Sequence, residues 1–272
     1  MSSTVTEATA VPRPRALRFR FDDVPRDWFG GNVVASHVAN GVNLLFPAGE
    51  RFFVRSVHHY MDRIDDPLLR ERVRGFAGQE GRHAAAHEQY FEALRHQGYD
   101  VDTFLRLYQR VAYGFIERAS PPALRLSTTA ACEHFTALLA EFALRRRVLD
   151  LAHPAMRDLL LWHAAEEIEH RSVAFDVLER VSPGRAMRVA GLAMASACLG
   201  GFWIAGALAL LAQEPQLSRA DKLRQWREAR ARRGDASIFR RGVREYLRAD
   251  FHPAKNPIDH LASEYLASAG IA

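Results

Sequence analysis

A chain of 272 residues, 48% hydrophobic and 25% charged, can bury a sizeable core unaided, which excludes collagen-like, wholly disordered and disulfide-scaffold proteins. Its two cysteines, Cys132 and Cys198, sit in apolar runs with no CxxC partner; they read as buried hydrophobes in a reducing compartment and leave no cysteine zinc site. The net charge of +5 is local, because Arg219 to Arg248 holds eleven Lys/Arg against four Asp/Glu and the rest of the chain is slightly acidic.

From the start, residues 1–20 read as a loose, flexible arm with two prolines and four arginines, and no secretory signal is seen there. A cytoplasmic protein is expected. Residues 21–46 are expected to be extended with short helical pieces. Thereafter the periodicity is helical, so the fold class is all-α, in one domain over 21–272. Helices are expected from Pro47 to about Ile64, Pro67 to Gln97 with Gly98 as the stop, Asp102 to Arg118, Pro122 to Leu151, and Pro154 to just before Ser182. An apolar helix from Ala186 to Ala212 and a basic one from Ala220 to Arg248 follow, then a loop with a last short helix. No helix-turn-helix, zinc-finger or RNA-binding signature accompanies the basic stretch, so no nucleic-acid partner is expected.

Four glutamates stand on apolar stripes, judged by their neighbours at helical spacing. Glu50 lies among Phe46, Phe53, Val54 and Val57; Glu80 follows Val73, Phe76 and Ala77; Glu133 lies among Leu126, Ala130, Ala137 and Ala140; Glu167 follows Leu160 and Ala164. A buried, unpaired carboxylate costs several kcal/mol, and the only cation on these stripes is Arg171, beside Glu167. Metal would supply the missing charge. The pairs Glu80-x-x-His83 and Glu167-x-x-His170 each place a carboxylate and an imidazole one turn apart, while Glu50 and Glu133 stand alone. That order is the ligand set of ferritin-like carboxylate bundles. Oxygen-rich ligands with imidazoles and no thiolate favour two iron ions, or manganese. His163 shares the face of Glu167 and His170 and is a candidate seventh ligand; His87 and Glu166 are alternatives that the spacing leaves open. Glu141 is expected to pair with Arg145.

The strings PAGERFFVRSVHHY (47–60), GQEGRHAAAHEQYFEALRHQGYD (78–100) and WHAAEEIEHRSVAFDV (162–177), with DFHP at 250–253, resemble the bacterial family of predicted metal-dependent hydrolases over about residues 40–255. The ligand order is also similar to that of non-haem di-iron oxygenases, and His163-x-x-x-Glu167-x-x-His170 resembles the extra-histidine arrangement of p-aminobenzoate N-oxygenases. These resemblances imply a ferritin-like four-helix bundle with added helices and a di-iron monooxygenase. Glu50, Glu80, Glu133 and Glu167 would be catalytic, and with His83, His163 and His170 would hold the metals. Dioxygen would be the co-substrate, an electron-donor protein the partner, and a largely apolar small molecule the substrate, carried on coenzyme A or an acyl carrier if the basic helix serves it. The alternatives are a dinuclear metal-dependent hydrolase, in which two metals lower the pKa of a water, and a ferritin-like iron-binding protein.

Residues 189–212 carry no charge and are long enough to cross a bilayer. Basic residues flank both ends, so the segment is open to three readings: a buried or homodimer-interface helix, a helix in peripheral contact with a membrane, and a true span.

Overall fold

The computed structural model describes residues 10–233 and 237–271. The fold is all-α, and the described residues include no strand beyond one isolated bridge between Phe29 and Ala152. In chain order the helices are α1 (Val33–Asn43), α2 (Phe46–His58), α3 (Pro67–His96) and α4 (Val101–Tyr108), the last running into a π-helical segment (Gln109–Glu117). They continue as α5 (Pro122–Arg146), α6 (Pro154–His170), α7 (Val173–Val181), α8 (Arg185–Leu211), α9 (Arg219–Arg233), α10 (Ser237–Tyr246) and α11 (Asp259–Ser268).

Proline sets several starts, since its missing N–H is no loss in a helix's first turn. Pro67, Pro122 and Pro154 open α3, α5 and α6, and Asp66 caps α3 by accepting from the amides of Leu68 and Leu69. The ends follow local chemistry too. Gly98 takes φ 90° after α3, and Arg147, at φ 51°, stops α5 five residues short of the expected end at Leu151. The expected helix from Pro154 is two helices: after His170 the Arg171 guanidinium turns back to the Ile168 carbonyl and to Asp259, and α7 restarts at Val173. The first expected helix ends at His58, and Met61–Arg63 forms a separate 3-10 turn. The basic stretch is likewise two helices, α9 and α10; residues 234–236, between them, lie outside the described residues, as do 1–9 of the expected arm.

Two differences are larger. Val33–Asn43 is a full helix, capped by the Asn32 side chain on the Ala35 amide and packed on α8, where extended chain with short helical pieces was expected. Residues 10–20 are not loose. Pro12 and Pro14 lie directly on Gly75 and Gly78 of α3, where any Cβ would collide with them, Phe19 is buried, and Arg15 reaches the carboxylates of Glu166 and Glu169 on α6. Burial of Phe19 and a double ion pair offset the entropy of ordering the arm.

The four helices that carry the expected ligands pack together: α2 on α3 and α5, α6 on α5 and α3. Their inward faces hold the polar centre, bounded by two apolar clusters. One contains Phe76, Leu126 and Phe175; the other contains Tyr90, Met156 and Trp162. α8 lies across α5 and α1, with Gly191 close against Ser127 of α5.

Candidate metal centre

Each ligand candidate occupies the inward stripe of its helix. Glu50 comes from α2, Glu80 and His83 from α3, Glu133 from α5, and His163, Glu167 and His170 from α6; all seven are buried. Spacings of three and four residues aim the α6 side chains at one point, and α3 meets them from the opposite side. The structure brings all seven together in three overlapping groups, Glu50–His83–His163, His83–Glu167–His170 and Glu80–Glu133–His170, in each of which one donor atom per residue lies within 4.8 Å of the others.

The hydrogen bonds are too few for so many polar atoms. His163 Nε2 is 2.8 Å from Glu167 Oε1 and 3.6 Å from Glu50 Oε1; His170 Nδ1 is 2.9 Å from Glu133 Oε2. Among the described residues, both oxygens of Glu50 and of Glu80 have no hydrogen-bond partner. Neither do Glu133 Oε1, Glu167 Oε2, His83 Nδ1 and His170 Nε2. Buried polar atoms are nearly always satisfied, so this many orphans at one place mark a missing charge-bearing group.

Electrostatics agree. Burial, then repulsion from the other carboxylates, holds the Glu50 and Glu80 carboxyls well above the usual carboxylate range, and burial with Glu167 does the same to Glu133. Burial depresses His83, with His163 and His170 adding to it, and it depresses His170. Glu167 differs: burial pushes it up, but His170 and His163 outweigh that and hold its carboxyl low. The site thus disfavours its own charges, a condition that divalent cations would relieve.

Around the seven lies a supporting layer. Glu166, an alternative ligand by spacing, instead takes His83 Nε2 at 2.9 Å with one oxygen and Arg15 Nη1 at 3.1 Å with the other, which leaves His83 Nδ1 facing the centre. Burial pushes Glu166 up to about 7, against the opposing pull of Arg15. His87, the other alternative, bonds through Nε2 to His163 Nδ1 at 2.7 Å, so it backs His163 as a carbonyl or carboxylate commonly backs a metal-ligating imidazole. Phe46 packs on both rings, with centroids 4.5 Å from His163 and 4.7 Å from His87. Arg171 is no counter-ion, because its guanidinium is spent on Asp259; Glu141 pairs with Arg145 as expected, and also with Arg241. Arg15 was not evident from the sequence, since its partner Glu166 is 151 positions away; the available signal was the alternation of Leu17, Phe19 and Phe21 with arginines, which marks one side of the arm as packed.

Two apolar cavities adjoin the centre. One, of about 270 Å³, has His163 and Glu167 in a wall otherwise formed by groups such as Phe46, Leu160 and Phe239. The other, of about 90 Å³, reaches Glu50 and passes between α8 and the π-helical segment.

A family model described as predicted metal-dependent hydrolase matches residues 13–256, and the chain belongs to that family. No curated protein and no solved structure matches it. The family corrects the leading expectation: metal dependence stands, and the family's description matches the alternative of a metal-dependent hydrolase and not the di-iron monooxygenase that dioxygen would serve. The ferritin-like likeness rests on ligand order alone.

Proposed function

We propose that this member of the predicted metal-dependent hydrolases is a dinuclear enzyme that cleaves an ester- or amide-type bond in a largely apolar substrate. The observation that carries the reading is the set of buried carboxylate and imidazole atoms without partners, adjoining an apolar cavity. A donor set of four carboxylates and three imidazoles fits two divalent ions of the iron or manganese kind. Glu50, Glu80, Glu133 and Glu167 would hold them with His83, His163 and His170, and the ions would acidify a water and polarise the carbonyl under attack.

The chain's own groups do the rest. Glu167 and His163 stand in the wall of the larger cavity, so the substrate's scissile bond would meet the centre there. His87 holds the His163 ring in one orientation through their shared hydrogen bond. Phe46 and Leu160 keep bulk water from the centre and would seat the apolar body of the substrate, which raises the strength of every electrostatic contact inside.

Metal analysis of the purified chain, paired with hydrolysis of p-nitrophenyl esters and anilides of graded acyl length, tests this. The parent should carry two ions per chain and cleave the longer, apolar substrates, and Glu133→Ala should lose both properties. Equal metal content in parent and variant, or a fully loaded parent inert toward every ester and anilide, would refute it.

A further inference from the structure

The outer side of α8 is anomalous. Its inner residues Leu192, Ala195, Ala207 and Leu210 are buried against the bundle, yet only 22% of its most apolar stretch is covered. Val189, Ile204 and Leu208 point outward, Ile204 at 61% exposure. α4 lies alongside, with the Tyr108 ring 4.8 Å from Phe202, and adds Leu107; the π-helical segment adds Phe115, 70% exposed. Large apolar side chains clustered in the open mark a surface that something covers.

The charge nearby says what. Lys222 Nζ donates to the Leu211 carbonyl at 2.7 Å and so holds the start of α9 at the end of α8. On α9, Arg219, Leu223, Trp226, Arg227 and Arg230 recur at helical spacing on one exposed face, while Ala229 is buried. Residues 219–233 hold seven Lys/Arg and two Asp/Glu. Exposed arginines beside Trp226 and Leu223 put positive charge and an interfacial aromatic on one face, which an anionic headgroup layer attracts. A second copy fits less well, because a two-fold contact would set this basic face against itself.

Beneath this surface runs the smaller cavity, walled by Leu199 and Phe202 of α8 and by Ala112 and Tyr113 of the π-helical segment, with Glu50 at its inner end. The elements that present apolar residues outward are therefore the elements that wall a route to the centre. We infer that this face of α8 and the π-helical segment rests on an anionic lipid bilayer, with α9 in the headgroups, and that the cavity passes a bilayer-held apolar substrate inward. The second half rests on the hydrolytic reading above.

Vesicle sedimentation of the full, metal-loaded chain tests the docking. Binding is expected to phosphatidylcholine vesicles containing phosphatidylserine, and to be weak with phosphatidylcholine alone or in high salt. Arg227→Gln with Arg230→Gln should lower affinity roughly tenfold or more, at about fivefold per arginine, and Leu208→Glu should lower it with both vesicles. Brominated acyl chains should quench a fluorescence component that Trp226→Phe removes. No binding to either vesicle overturns the docking, as does a dimer that hides the face and persists with anionic vesicles present. For the route, a fatty ester with a diazirine-bearing acyl chain, carried in the vesicles, should photolabel Tyr113 or Phe202, and Ala112→Trp should suppress the labelling while vesicle binding persists. Labels confined to the outer faces of α8 and α9 overturn the route. Labelling of the cavity without cleavage of the ester would instead count against the hydrolytic reading alone.

Discussion

Two buried histidine–glutamate clusters lie in this chain, and they differ in one respect. At the candidate metal centre, the carboxylates of Glu50 and Glu80 have no hydrogen-bond partner among the described residues. Between α1 and the end of α8, Glu214 accepts from His37 Nε2 at 2.9 Å, from Tyr99 and from Gln216, while Asn40 accepts from Trp28 at 3.0 Å and Tyr90 at 3.0 Å and reaches His37 Nδ1. A neutral His37 protonated at Nε2 satisfies both its neighbours, in keeping with burial lowering its pKa, and the hydrogen bonds hold the Glu214 carboxyl low despite burial. Residue types and burial are alike, so neither identifies a site. Completeness of hydrogen bonding does: the satisfied cluster fastens α1 to the bundle, and the unsatisfied one awaits a ligand.

The strongest way to break this contrast is Glu214→Ala, which strands His37 and Tyr99 in the interior. We expect a loss of about 2–6 kcal/mol in urea unfolding, about 1–3 for each donor left without an acceptor, with metal content unchanged in the folded fraction. A smaller loss would mean that the cluster is no fastening.

His134 is a buried histidine with one hydrogen-bond partner among the described residues, the Gly242 carbonyl at 3.0 Å from Nε2, and burial pushes its pKa down to about 4. The unfolded chain takes up this proton near pH 6.5 and the folded chain only near 4, so stability should fall as pH drops through that window and level off below it. The total is roughly 3 kcal/mol. His134→Gln should flatten that part of the profile, as read from urea midpoints at stepped pH.

Arg15→Ala should weaken metal binding by about 10–100-fold through Glu166 and His83, a magnitude usual for the groups behind a ligand. Competition with a chelator measures it, and unchanged affinity would show that the arm is mere packing. The smallest effect expected has the opposite sign. In chelated protein Glu80→Gln should raise stability by about 1–2 kcal/mol, because an amide costs less to bury than a crowded carboxyl. The same change at Glu214 should lower it.

The helices that build the centre were legible because proline opens them and an acid on an apolar stripe is conspicuous. Glu50, Glu80, Glu133 and Glu167 converge in the structure as their local neighbours implied, and the imidazoles follow from spacing. What sequence hid is long-range. His37 and Glu214 are 177 positions apart, and nothing local pairs them. The helix Val33–Asn43 mixes β-branched residues, Asn and Gly, so its local preference is weak and packing on α8 decides it; the Asn32 cap was the available signal. Glu166 and Glu167 share the same local pattern, and only the arrival of Arg15 and His83 from elsewhere separates their roles.

Arg15 also bears on how the protein is made. It leaves the ribosome early, but Glu166 and Glu169 follow only after some 150 further residues, and Ile271, whose carbonyl accepts from its Nε at 2.9 Å, is 256 positions on. Glu166 shares α6 with Glu167, so during synthesis the clasp that steadies His83 cannot form before the helix that completes the ligand set. The Arg15 clasp is thus among the last parts of the centre's support to form, and the contact with Ile271 follows it.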